Sequence, residues 1–297
     1  VRAILQTGIP KEREGEVLVF DLADPRYPIP LNLFAGTQTY GSVGRVVDIL
    51  ERMYVGGVRT DRYLRAGVQA VQQLENATMR DLQRLFVDGE FRTSVLENTE
   101  DDDVFHTLHD DYHVLSPGKQ REIRDPIIHR IDPFYRNTHL YPSLCHPKRL
   151  DFDSLMAERK IVLISLGVNE ELVPEKERHM VGALLISLIQ MVGMKPERER
   201  TPYYVYIDEV QDFVTTSLAV IFSEARKYGI SMTVANQFLD QFTRPTLQAI
   251  MSNVGMTVTF RSNADDARDL RSYLQPQFDA ESLLNLDMYQ AAVKLQF

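Results

Sequence analysis

The chain carries the stretch Tyr203-Tyr204-Val205-Tyr206-Ile207-Asp208-Glu209. Its first five residues are β-branched or aromatic and predict a buried β-strand, so two carboxylates follow at the carboxyl end of that strand. Ligands of open α/β sheets bind at this edge. Of the two acids, one can hold Mg²⁺ through water and the other can orient an attacking water in nucleotide hydrolysis. Taken alone, the stretch also fits a strand followed by a helix that begins with acidic residues. The choice between this interpretation and a nucleotide site depends on the neighbouring segments.

Two more predicted strands end in polar residues. The segment Glu224–Gly229 ends a helix, since cations at a helix C-terminus complement its dipole and Gly229 can supply a left-handed cap. The strand after it ends in Asn236-Gln237, and a third strand, Met256 to Arg261, ends in an arginine. Three consecutive strand tips thus carry acids, amides and a cation, which favours a ligand site over a purely structural sheet.

The wider pattern predicts an α/β fold with a mainly parallel sheet flanked by helices. After Pro147 short β-rich runs alternate with helical periodicity, and an isolated strand, Val17 to Asp21, lies far upstream. Between them, from Ser42 to Tyr141, only helical periodicity appears. The predicted organisation is an N-terminal part of the core at 1–41, an all-α insertion at 42–146 and the C-terminal part of the core at 147–297. The apolar stripes of the insertion predict four buried residues: Leu64, Val68, Leu82 and Leu85.

Composition limits the possible functions. The 297 residues are 44% apolar and 25% charged, which is typical of a globular protein and not of a disordered or fibrous one. A net charge of −9 excludes a uniformly basic nucleic-acid-coating surface, so any nucleic-acid contact has to be local. With Cys145 as its single cysteine the chain forms no internal disulfide, and we expect a cytoplasmic location.

The first residue and the length of the apolar stretches predict a fragment without a membrane span. The sequence begins at Val1 and not at Met, which suggests an excised piece. The apolar stretch Met180 to Met194 carries no charged residue, but it is shorter than the ~20 residues that a transmembrane helix needs. An inner-membrane anchor elsewhere in the full-length protein stays compatible with this sequence.

In combination, these motifs resemble those of conjugative coupling proteins of type IV secretion systems and their HerA/FtsK-superfamily relatives among the RecA-like P-loop ATPases. The resemblance rests on the order of Asp208-Glu209, Ser223-Glu224-Ala225-Arg226-Lys227-Tyr228-Gly229, Asn236-Gln237, Ser252-Asn253-Val254-Gly255, Phe260-Arg261 and Asp265-Asp266-Ala267. Upstream, Ile9-Pro10-Lys11-Glu12-Arg13, the strand Val17 to Asp21 and Pro28-Ile29-Pro30-Leu31-Asn32 resemble the segment after the phosphate-binding loop of those ATPases. The likeness covers nearly the whole chain.

The resemblance implies a RecA-like, hexameric ATPase that moves DNA and uses ATP and Mg²⁺. It assigns Asp208 to the metal ion through water, Glu209 to the role of catalytic base and Gln237 to phosphate sensing. Arg226 would act as a finger on the nucleotide of a neighbouring subunit, with Arg261 as the alternative. The all-α insertion corresponds to the one that coupling proteins carry, and a relaxase, a secretion channel or a nuclease would be partners.

One element of the family pattern is missing. No G-x-x-x-x-G-K-[ST] motif occurs, and the closest glycine-rich stretch, Gly36 to Arg45, has no Lys-Ser/Thr pair. We interpret this as truncation and expect the chain alone not to hydrolyse ATP. Two alternatives stay open: a HerA-type translocase acting in repair, and a non-catalytic module that binds DNA or a protein.

Three other groups of residues allow a functional and a structural interpretation. His106, His109 and His113 would share one face of an α-helix and could bind a transition metal, although exposed histidines beside acids are more common. The basic stretch could contact nucleic acid or simply be a solvated helix; it comprises Lys119, Arg121, Arg124, Arg130 and Arg136. Cys145-His146 precedes a proline in a loop, a context that gives little support for a catalytic thiol.

Overall fold

The chain is an α/β protein that divides into two compact units. The computed structural model describes residues 1, 3–35, 43–44, 46–47, 50, 58–167, 171–194, 201–213 and 216–295. The first unit is Val1–Leu185 and the second is Ile186–Phe297. The limit between them falls inside one helix, Glu175–Gly193, and the predicted domain limits at 41 and 146 stay predictions.

Among the described residues, the first unit contains one pair of parallel strands. β1 (Val17–Asp21) pairs with β2 (Ile161–Ser165), with Val17 opposite Ile161 and Asp21 opposite Ser165. Parallel neighbours need a long crossover connection, and here the connection contains the predicted helical segment. The chain therefore leaves the sheet after β1, forms helices, and returns to pair with the same strand.

Helices fill the connection between β1 and β2. Within 42–146, the residues that the structure describes form no β-strand of the sheet. The helices of the first unit up to β2 are α1 Val58–Gln72, α2 Met79–Val87, α3 Gly89–Leu96, α4 Asp102–Phe105, α5 Pro117–Arg136, α6 Tyr141–Leu144 and α7 Phe152–Ala157, with π-helices Ile4–Gly8 and His106–His113 and a 3₁₀ helix Lys11–Glu16. The prediction of their buried residues is confirmed, because all four have no exposed surface: Leu64, Val68, Leu82 and Leu85.

The sequence defines where α2 and α3 begin. Thr78 and Asp81 form a capping box at the start of α2, in which the Asp81 carboxylate accepts the Thr78 backbone N–H at 2.9 Å. Asp88 caps α3, with its Oδ1 accepting the Phe91 N–H at 3.0 Å. Each cap satisfies backbone donors that have no partner within the helix. These caps set the start of each helix.

In the part of the second unit that the structure describes, there are two strand pairs. β3 (Tyr203–Ile207) and β4 (Ile230–Val234) are parallel, with Tyr203 opposite Ile230, and the strand bounds agree closely with the sequence prediction. β5 (Met256–Thr259) and β6 (Ala292–Leu295) are antiparallel. The helices that begin after Leu185 are α9 Thr216–Glu224, α10 Arg244–Asn253, α11 Ala264–Leu274 and α12 Ala280–Leu284, with 3₁₀ helices Val210–Phe213, Ala225–Tyr228 and Leu239–Gln241; α8 is the shared helix Glu175–Gly193.

The core of the second unit covers one face of β3. Val205 is buried in a cluster with Leu218 and Ile221 of α9 and Ile250 of α10. Side chains alternate between the two faces of a strand, and Tyr204 and Tyr206 point to the other face, where they are 63% and 75% exposed. The prediction of a buried strand is therefore wrong for one face of β3. The run of apolar and aromatic residues alone does not show that the face with the two tyrosines is exposed while the face with Val205 is buried.

No helix in the described ranges is long and apolar enough to cross a membrane. The segment Met180 to Met194 forms most of α8, whose first turn carries Glu175 and Glu177.

Candidate functional site at the carboxyl edge of β3 and β4

Backbone pairing continues beyond the ends of β3 and β4. The Ala235 N–H donates to the Ile207 carbonyl at 2.9 Å, and the Val210 N–H donates to the Ala235 carbonyl at 3.0 Å. These two bonds hold the segment 208–210 beside the segment 235–237. These hydrogen bonds hold the carboxyl edge of the strand pair in place and bring together the residues that follow β3 and β4.

Glu209 is the centre of this edge. Gln237, which follows β4, donates its Nε2 hydrogen to Glu209 Oε1. Gln211, two residues after Glu209, donates its Nε2 hydrogen to Glu209 Oε2 at 2.8 Å. Glu209 itself has φ +50°, in the left-handed region that side-chain-bearing residues rarely adopt. The structure therefore brings two of the predicted site residues, Glu209 and Gln237, into direct contact.

Asp208 is exposed at the tip of β3. Its Oδ1 accepts the Glu209 backbone N–H at 3.2 Å, which orients the carboxylate at the edge of the strand pair. Mg²⁺ is usually held by one or two carboxylates, by waters and by substrate phosphates, and not by a cage of protein ligands. The described residues hold no cluster of three or more His, Cys, Asp or Glu able to bind a metal. An exposed single carboxylate fits Mg²⁺ bound through water together with a nucleotide.

Asp266 links a second loop to this edge, a role that the sequence analysis did not identify. It lies in the first turn of α11, and its Oδ1 accepts the Leu239 backbone N–H at 3.1 Å, two residues after Gln237. Its Oδ2 accepts an amide hydrogen from Asn263 at 3.0 Å. Asp266 is only 8% exposed, and this burial raises the pKa of its carboxyl above the usual value. The motif around Asp265-Asp266-Ala267 could have suggested a cap, but only the fold shows the partner loop.

The two predicted arginines lie elsewhere. Arg226 is exposed in the 3₁₀ turn before Gly229, whose φ of +75° gives the left-handed cap that ends this turn. Because β4 begins directly after that cap, Arg226 lies at the amino edge of the β3–β4 pair, opposite Glu209. Arg261 is exposed after β5. No hydrogen bond or ion pair between described residues joins either arginine to Glu209.

Gln211 is another site residue that the sequence analysis missed. It occupies the second position of the 3₁₀ helix that follows Glu209. An amide two residues after the paired acids was visible in the sequence. Its contact with Glu209 depends on the left-handed backbone of Glu209, which the sequence does not predict.

The histidine cluster differs from the predicted shared face. His106–His113 is a π-helix, in which His106 and His109 both contact Asp110, at 3.1 and 2.8 Å. These contacts hold the pKa of Asp110 below its usual value. His113 instead stacks on the His109 ring, with centroids 5.8 Å apart, and its Nδ1 lies 3.4 Å from Arg92. The metal interpretation is wrong for this arrangement, because the three rings do not converge on one point.

The basic stretch is not a uniform surface. Arg130 is 1% exposed and pairs with Asp61 at 3.0 Å, while Arg136 pairs with Asp132 at 3.0 Å. Lys119 and Arg121 are exposed at the start of α5. A nucleic-acid contact would therefore involve only part of the stretch.

The environment of Cys145 gives no support for a catalytic thiol. Burial raises the pKa of the Cys145 thiol to about 11, so the reactive thiolate is scarce at neutral pH.

Known structures share this fold at low sequence identity. The unbound conjugative coupling protein TrwBdeltaN70 superposes with a TM-score of 0.66 at 13% identity, over 94% of this chain and 71% of that one. Plasmid coupling protein TrwB in complex with ADP and Mg²⁺ gives 0.64 at 12% identity, over 98% and 72%. VirB4 of Thermoanaerobacter pseudethanolicus gives 0.57 at 12% identity, over 92% and 72%. No protein-family model matches the chain, and no curated protein sequence matches it either.

The structural comparison and the order of the sequence motifs both lead to conjugative coupling proteins. The neighbours match almost the whole of this chain, including the helical connection between β1 and β2. The predicted resemblance is confirmed at the level of the fold: the chain has the RecA-like α/β fold of the conjugative coupling protein TrwB and of VirB4.

Proposed function

We propose that this chain forms most of the motor of an ATP-driven DNA translocase of the conjugative coupling-protein type. One observation carries the proposal: the carboxylate of Glu209 is fixed at the carboxyl edge of a parallel strand pair, in hydrogen bond with Gln237 from the adjacent strand tip. The fold is that of TrwB, which has been solved with ADP and Mg²⁺. An acid and an amide on adjacent strands can serve at this edge as a catalytic base and as a contact to phosphate.

In the proposed reaction, Glu209 is the general base. As the oxygen of a water forms its bond to the γ-phosphorus, the water proton passes to the Glu209 carboxylate, and the bond from the γ-phosphorus to the β–γ bridging oxygen breaks. Gln237 exchanges its contact with Glu209 for a phosphate oxygen. Asp208 would hold Mg²⁺ through water, and the metal supplies positive charge to the phosphates when bound.

The remaining assignments come from the resemblance, and the position of Arg226 is compatible with them. Arg226 lies at the edge opposite Glu209, so it cannot act on the nucleotide of its own subunit at this site. We assign it to the nucleotide of the next subunit in a homo-hexameric ring, with Arg261 as the alternative. DNA would pass along basic loops of the ring, in the cytoplasm, with a relaxase or the secretion channel as partner.

The test uses a complete protein in which a phosphate-binding loop accompanies this chain. Glu209→Gln is expected to lower Mg²⁺-dependent ATP hydrolysis ~10²–10⁴-fold, because the amide cannot accept the water proton. DNA is expected to stimulate the wild-type rate. Glu281→Gln, at an exposed acid of α12, is the matched control and should keep the full rate.

Two results would contradict the proposal. Undiminished hydrolysis in Glu209→Gln would remove Glu209 from the role of base. A wild-type rate that DNA does not change, together with no movement along DNA, would leave an ATPase without the translocase function.

A further inference from the structure

Gln211 is held in place by the turn that contains Glu209. The Asp212 N–H donates to the Glu209 carbonyl at 3.1 Å, and the neighbouring Val210 has no exposed surface and is bonded through its N–H to Ala235. The 3₁₀ helix Val210–Phe213 therefore begins on a fixed point of the strand pair. Gln211 has little freedom to move away from Glu209.

The two amides that contact Glu209 each bind a different carboxylate oxygen. Gln211 donates to Oε2 at 2.8 Å, and Gln237 donates to Oε1. An ionised carboxylate only accepts hydrogen bonds, so the NH₂ group of Gln211 has to face Glu209 and its carbonyl oxygen has to face away. Since each carboxylate oxygen can accept about two hydrogen bonds, this arrangement fixes the plane of the carboxylate and leaves acceptor positions free.

The surroundings of the two amides differ. Gln237 is exposed and follows another strand, so a phosphate can compete with Glu209 for its amide hydrogens. Gln211 is half-buried, and its Oε1 is buried and accepts no hydrogen bond from any residue that the structure describes. The hydrogen bond to Glu209 therefore sets the orientation of the Gln211 amide.

We propose that Gln211 is a positioning residue for the catalytic base: it keeps the Glu209 carboxylate in a fixed plane while Gln237 leaves for the phosphate. This inference rests on the proposed ATPase function of Glu209. Gln211 touches neither nucleotide nor water in this role and acts only through Glu209. It would be needed at the stage when the contact with Gln237 is lost.

The kinetic test is Gln211→Met in the complete ATPase, since methionine has a similar shape without a donor. We expect kcat to fall roughly 10–100-fold, with the KM for ATP changed by less than about twofold, because the lost bond orients the base and does not bind substrate. Gln241→Met, the same change at an exposed position of another 3₁₀ helix, should be unaffected. In a Glu209→Gln background, Gln211→Met should lower the residual rate by less than about twofold.

A second measurement needs no hydrolysis. In this chain, the side-chain amide NMR signals of Gln211 should move in Glu209→Ala and stay in place in Gln237→Ala. The inference would be overturned if Glu209→Ala left the chemical shifts of the Gln211 amide unchanged, or if Gln211→Met had the kcat of the wild type. If Glu209→Gln is itself fully active, the proposed base has failed, whereas an inactive Glu209→Gln beside an active Gln211→Met rejects the positioning role alone.

Discussion

Glu209 carries its carboxylate on a backbone that residues with side chains rarely adopt. Its φ of +50° lies in the left-handed region, where an L-residue has an unfavourable contact between Cβ and the following carbonyl oxygen. Such strain persists where the surrounding structure holds it, often at functional sites. Here the bonds of Ala235 to Ile207 and of Val210 to Ala235 hold the backbone on both sides of Glu209.

This strain predicts an unusual order of stability. Glu209→Gly should be more stable than Glu209→Ala by about 1 kcal/mol, because both lose the same hydrogen bonds and only glycine relieves the backbone. Urea unfolding of the two variants measures the difference. At Glu122, an exposed position inside α5, the order should reverse, since glycine is less favourable than alanine within a helix by about 1 kcal/mol. The same order at both positions would mean that Glu209 is not strained.

The N-cap of α3 predicts a pH-dependent stability. The Phe91 N–H, and to a lesser extent Arg84, hold the pKa of Asp88 below the ordinary 3.8. The ionised carboxylate therefore stabilises the folded state above pH 3.8, and this contribution is lost as the pH falls through the lowered pKa of the folded state. Asp88→Asn keeps a cap but has no charge to titrate.

The stability advantage of the wild type over Asp88→Asn should thus be complete near neutral pH and shrink below pH 3.8. Urea unfolding of both proteins over a pH series measures it. A difference that stays constant across the series would show that the charge of Asp88 does not contribute.

At the scale of elements, α1 packs closely on α2 through Gly67. A Cβ at this position would lie 2.8 Å from Cε2 and Cζ of Phe86, a buried ring. Gly67→Ala is therefore expected to destabilise the protein by about 1–2 kcal/mol, since overpacking outweighs the helix propensity of alanine. Gly118→Ala, in the first turn of α5 with open space around it, should instead stabilise slightly. Thermal unfolding separates the two, and a stabilised Gly67→Ala would rule out the close contact.

The elements differ in how far the sequence predicts them. The strand Tyr203–Ile207 was predicted with the bounds that the structure has, because its run of β-branched and aromatic residues ends at the two acids. The π-helix at His106–His113 was not predicted, because π-helices are rare and the histidine spacing was interpreted with the period of an α-helix. α5 continues through Pro126 and Pro133, which the sequence would place at helix ends.

The residues of the candidate site also differ in how far the sequence predicts them. Asp208-Glu209 and Asn236-Gln237 were identified because parallel strands place their carboxyl ends at one edge. Gln211 and Asp266 were missed because their partners depend on a left-handed residue and on a contact between two loops. Neither feature has a periodic pattern in the sequence.

At the scale of the molecule, the two edges of the β3–β4 pair separate the proposed base from the proposed finger. The six residue-to-residue steps from Gly229 to Ala235 correspond to roughly 20 Å of extended chain at about 3.3 Å per step. Glu209 and Arg226 of one subunit therefore cannot reach the same nucleotide. A ring in which the amino edge of one subunit faces the carboxyl edge of the next would unite them.

This geometry predicts complementation between inactive subunits of the complete protein. Arg226→Ala alone should lose hydrolysis ~10³-fold or more while it still folds, binds nucleotide and assembles. Mixed with Glu209→Gln subunits, it should regain activity, because an interface that joins an intact Arg226 to an intact Glu209 forms in about one case in four of a random equal mixture. The measurement is the ATPase rate after co-assembly, compared with each variant alone. Full activity of Arg226→Ala by itself would transfer the finger to Arg261 or eliminate it, whereas an inactive mixture would mean that both residues serve the same subunit.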